Sequence, residues 1–66
     1  MVGQRIKAYL KENGIMQSFL SEKIGLPDDI VSKMLAGTRK IEVTEYYQIC
    51  QALKVPFETF LSDNKV

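Results

Sequence analysis

The sequence predicts an all-α protein, a compact bundle of five short helices around one core. Three observations predict it. Apolar residues recur at helical spacing, as in Ile6 and Leu10 or Tyr46, Ile49, Cys50 and Leu53. Glycines and prolines fall where helices stop and start, at Gly14, Pro27, Gly37 and Pro56. Between them, residues 17 to 37, QSFLSEKIGLPDDIVSKMLAG, set a small residue and a glycine at fixed offsets inside an apolar frame.

The first helix should run from about Gly3 or Gln4 to Asn13, with Ile6 and Leu10 toward the core and Tyr9 flanking them. Arg5, Lys7, Lys11 and Glu12 then face water. Asn13-Gly14 stops it, because glycine suits the left-handed position after a last turn. Ile15 anchors the connection to a second helix over Gln17 to Ile24. Pro27 fits at the start of a third helix, where its missing N–H would be unpaired anyway. Asp28 and Asp29 lie in the same first turn, where carboxylates complement the helix dipole by roughly 0.3–1 kcal/mol each. That helix reaches about Ala36, with Gly37 its stop and Thr38-Arg39-Lys40 a polar loop. A fourth helix begins at Thr44 and Glu45 and runs to about Lys54. After Pro56, Phe57 to Leu61 should form a final short helix docking Phe57, Phe60 and Leu61, and Ser62 to Val66 a frayed tail. A single domain thus occupies residues 1–66, its ordered core about 4–62.

Within residues 17–37, Ser21 is the small position and Gly25 sits at the turn, with Leu20, Ile24, Leu26, Val31 and Met34 around it. Two helices crossing steeply over a short turn need a small side chain at closest approach and a residue tolerating positive φ at the reversal. The set at these offsets spells a helix-turn-helix. The frame and its flanks resemble the phage-repressor and Cro helix-turn-helix family, the lambda-repressor-like DNA-binding domains. RIKAYLKENGI resembles that family's first helix, Gln17 a glutamine common at the start of its second, Met34 to Gly37 the end of its recognition helix, and EYYQICQALKVPFETFL its last two helices. The resemblance covers roughly residues 4 to 62.

It implies that the third helix enters the major groove, with its N-terminal residues at base edges. Carried over by position, Pro27, Asp28, Asp29, Ser32 and Lys33 face the groove, and 28, 29, 32 and 33 share one face of a 3.6-residue period. Asp28, Asp29, Ser32 and Lys33 are therefore the expected base readers: Lys33 toward guanine or a phosphate, Ser32 toward either, the aspartates toward a cytosine amine. The aspartates have an alternative role as caps of the helix N-terminus. Gln17, Thr38, Arg39 and Lys40 are the expected contacts to the DNA backbone.

Two residues depart from the family pattern. Met16 stands where a serine or threonine usually caps the second helix, removing roughly 1 kcal/mol of capping, and Phe19 occupies a position often charged. Phe19 either packs on Tyr9 or the first helix, or contacts a partner protein. Cys50 on the apolar stripe reads as a buried hydrophobe.

Composition narrows the function class. The chain has 66 residues, one cysteine and no histidine, so an internal disulfide, a zinc site and a His- or Cys–His-based catalytic centre have no residues to build them. No catalytic, metal or cofactor site is expected, and no small-molecule substrate. No apolar run is long enough for a bilayer and no signal-peptide layout opens the chain, so a cytoplasmic location is expected. Net charge is only +1, but it is unevenly spread. Residues 1–41 carry seven Lys/Arg against four acids, and residues 42–66 carry two against four. A weakly basic face on the helix-turn-helix side and an acidic opposite end follow.

The expected function is sequence-specific binding of double-stranded DNA as a small transcriptional regulator of prophage or mobile-element type. The alternative is a protein-interaction module on the same fold, antirepressor- or antitoxin-like, with DNA binding lost. One recognition helix covers only a few base pairs, so a weak homodimer on a pseudo-palindromic operator is expected. Its contact should come from Val55, Phe57, Glu58, Phe60 and Leu61.

Overall fold

The computed structural model describes residues 2–61. Four α-helices follow in order: α1 over Val2–Glu12, α2 over Gln17–Ile24, α3 over Asp28–Ala36 and α4 over Val43–Leu53. The expected fifth helix is instead a single 3-10 turn at Phe57–Phe60. With Pro56 ahead of it, this four-residue segment is closed by i→i+3 bonds, Thr59 N–H to Pro56 O at 3.1 Å and Leu61 N–H to Glu58 O at 3.2 Å, and never reaches α-helical length. The expected frayed tail at 62–66 lies outside the described residues.

Glycine ends three of these segments. Gly14, Gly25 and Gly37 all hold positive φ, at 65°, 74° and 89°. At Gly25 the reversal carries the helix pair, its N–H bonding back to Ser21 O at 2.9 Å. Lys54 does the same for α4 without glycine's freedom, at φ 60°. The α4 start lies one residue before the expected one, because Glu42 and Glu45 form a reciprocal capping box around it. Met16 caps α2 with no side-chain bond, as its lack of an acceptor dictates.

The core gathers Ile6 and Leu10 from α1, Leu20 and Ile24 from α2, Val31, Met34 and Leu35 from α3, and the α4 stripe Tyr46, Ile49, Cys50 and Leu53. Helix α3 packs on α1 and α2, and α4 on α2. Gly3 permits the α1–α3 contact: a Cβ there would lie 2.3 Å from the Met34 carbonyl oxygen and 3.2 Å from Leu35 Cα.

Of the three apolar residues expected to dock from the last segment, only Phe60 is buried; Phe57 and Leu61 stay exposed at 40% and 49%. Phe60 packs edge-on against Tyr9, ring centroids 5.6 Å apart, whereas Phe19 lines a surface hollow with Ile15, Met16, Ala52 and Leu53. The Tyr46 hydroxyl pins the 3-10 turn by donating to Phe57 O and accepting the Phe60 N–H at 3.2 Å. Burial, above all, raises the Tyr46 phenol above its ordinary pKa, which keeps the donor protonated.

Candidate nucleic-acid interface

The helix pair is clasped across its turn. Gln17, first in α2, donates from Nε2 to the Asp28 backbone carbonyl at 3.3 Å. Ser21 is buried, and its hydroxyl lies 2.5 Å from Asp28 Oδ1 and 3.2 Å from Gln17 O. The small residue at the crossing therefore also acts as a donor, and one Asp28 carboxylate oxygen is turned across the turn. Pro27 precedes α3 with no side-chain cap, so neither aspartate is the cap residue itself.

This clasp sets the outer face of α3. Asp28, Asp29, Ser32 and Lys33 are all exposed, whereas Val31, Met34 and Leu35 are buried and Ile30 half-buried. The four residues expected to read bases thus share one open face. Gln17 borders it at the α2 start. Thr38 lies past the other end, its hydroxyl on the Lys33 carbonyl at 3.3 Å, closing the α3 C-terminus.

The three cations expected at DNA divide into two kinds. Lys33 and Lys40 are exposed, and their ammonium groups hold no hydrogen-bond or ion-pair partner among the described residues. Arg39 instead forks onto Glu45, Nη1 to Oε1 and Nη2 to Oε2, both at 3.0 Å, and also donates to Lys40 O at 3.1 Å. Glu45 Oε1 meanwhile accepts the Glu42 N–H at 2.9 Å. The guanidinium first, then that N–H, lowers the Glu45 carboxyl below the usual carboxylate range. A folded-state pKa depressed in this way adds stability above the unfolded pKa, and it is lost as pH falls through the folded value. In acid titrations followed by circular dichroism, wild type and Glu45→Gln should differ near neutral pH and converge in strong acid. A gap that persists undiminished into strong acid would reject the link.

Sequence reasoning missed Glu45 as Arg39's partner, since the pair spans a loop and carries no helical spacing. Met16 and Phe19 stand out at 72% and 40% exposure, with Lys23 Nζ 5.6 Å from the Phe19 ring centroid. Two residues of the expected contact between copies face inward instead: Phe60 is 3% exposed, and Val55 packs half-buried on the core. Phe57, Glu58 and Leu61 are exposed, beside Tyr47 at 51%, which leans on the Phe57 ring at 6.4 Å. Among the described residues, no group of three His, Cys, Asp or Glu could hold a metal ion, and no helix is long and apolar enough to cross a membrane.

A family model described as the Cro/C1-type HTH DNA-binding domain matches residues 5–65. No curated protein and no solved structure matches the chain.

Proposed function

This chain belongs to the Cro/C1-type helix-turn-helix DNA-binding family, and from that membership we propose a sequence-specific, cytoplasmic regulator of prophage or mobile-element type, a single domain binding a pseudo-palindromic operator as a two-fold pair. The observation that carries the proposal is the open polar face of α3, held by the Gln17–Asp28–Ser21 clasp and carrying the unpaired ammonium of Lys33, with that of Lys40 in the loop that follows. Asp29, Ser32 and Lys33 read base edges in the major groove, and Gln17, Thr38 and Lys40 fix register on phosphates. Asp28 positions α3 through Ser21, and Arg39 acts on the backbone contact by holding the 38–40 loop against Glu45.

Regulation is occupancy: a bound pair blocks an operator that polymerase or an activator needs. The pair forms through Phe57, Glu58 and Leu61 with Tyr47, placing two recognition helices about 34 Å apart. Selection from random-sequence DNA, followed by sedimentation with the enriched site, tests this reading. An inverted repeat carrying two protomers at saturation is expected; one protomer per site would overturn the pairing.

The aspartates separate in the same selection. Asp28→Asn keeps an oxygen for Ser21 while removing a charge that phosphate repels, so it should enrich the wild-type sequence and bind it more tightly. Asp29→Ala should relax one base pair without raising affinity for random DNA. The reverse pattern would make Asp28 the reader.

Exposed Met16 and Phe19 favour a second reading, a protein-interaction module on the same fold. A wild type that enriches no sequence at all would select it.

A further inference from the structure

A groove of about 400 Å³ opens between the loop leaving α3, the α4 start and the 3-10 turn, with Met34, Ile41, Val43, Phe57 and Leu61 among its walls. We propose that it binds a small amphipathic carboxylate, one anionic head on a short apolar body, and that occupancy weakens DNA binding. The volume lies within the roughly 300–1,000 Å³ of small-molecule sites, and such sites pair apolar walls with few polar groups. Here the free polar group is the Lys40 ammonium, exposed on the groove wall with no partner among the described residues. The other wall cation, Arg39, is held by Glu45, which leaves Lys40 to meet the head.

Nearby carboxylates oppose an anion less than their number suggests. Glu45 faces Arg39, and the Glu42 carboxylate accepts the Glu45 backbone N–H in the capping box. A head captured by Lys40 competes with phosphate for the same ammonium. That consequence rests on the DNA-binding reading, whereas capture of the carboxylate does not.

A second copy is the rival occupant, because Phe57 and Leu61 also edge the proposed contact between protomers. The probe is sodium octanoate, titrated into the free protein and followed by amide chemical shifts. Saturable shifts at Gly37, Ile41, Val43 and Leu61 are expected, unchanged at lower protein concentration. Octanol, with the same body and no charge, should bind about tenfold more weakly, and Lys40→Gln should abolish that preference. No saturable shift, equal binding of octanol, or shifts that track protein concentration alone would overturn the site. With operator, octanoate should weaken binding severalfold relative to equimolar acetate; unchanged affinity would overturn the regulatory half. Absence of DNA binding without octanoate would instead reject the DNA reading and leave the shift result standing.

Discussion

Leu20→Ala should leave the chain largely unfolded at room temperature. Leu20 is 0% exposed in α2, among core residues drawn from all four helices. Removing a buried leucine side chain costs about 2–5 kcal/mol in lost transfer free energy and residual cavity. A core in a chain of this length rarely supplies more than about 3–5 kcal/mol in total. The two ranges overlap, so one deletion consumes most of the margin. Urea titration by far-UV circular dichroism reads the outcome, with Met16→Ala as the surface comparison. Met16 is 72% exposed and makes no cap bond, so its replacement should shift stability by no more than about 0.5 kcal/mol. A Leu20→Ala variant with a cooperative transition near the wild-type midpoint would contradict the placement of Leu20 at the centre.

What was legible in the sequence was local. The Gln17–Ile24 helix coincides with its expected bounds, and all three glycine stops hold positive φ. Every residue of the predicted stripes at Ile6, Leu10, Tyr46, Ile49, Cys50 and Leu53 is buried. Periodicity and backbone permissiveness act within a few residues, so they can be read along the chain. Gly3 could not be read this way. Its requirement comes from the Met34 carbonyl, thirty-one positions away, and by local propensity alone alanine would be preferred there by about 1 kcal/mol. The last segment failed for a related reason. Four residues after Pro56 have no period to distinguish an α-turn from a 3-10 turn, and which of Phe57, Phe60 and Leu61 turns inward depends on Tyr9 and Tyr46.

The candidate site divides along the same line. That 28, 29, 32 and 33 share an open face follows from helical spacing alone. The partners of those residues do not. Asp28 reaches Ser21 seven positions back across the turn, and Arg39 reaches Glu45 six positions on across a loop. Both pairings depend on how the connecting segments fold, and under the proposed function both shift a residue from direct contact with DNA to holding the elements that make it.

That shift is measurable on the cations. Each phosphate neutralised contributes about −0.9 to the slope of log affinity against log salt, or roughly tenfold in affinity near 0.1 M salt. Lys40→Ala should therefore make the slope shallower by about 0.9, whereas Lys33→Ala should mainly relax base preference. Arg39→Ala should lower affinity with little change in slope, because its guanidinium already faces Glu45 and its removal loosens the loop carrying Lys40. Glu45→Gln should steepen the slope by up to about 0.9, since it frees Arg39 to meet DNA. Filter binding at several salt concentrations, with operator taken from the random-sequence selection, separates these cases. An Arg39→Ala slope change as large as that of Lys40→Ala would mean that phosphate displaces Glu45 on binding, returning Arg39 to the contact surface.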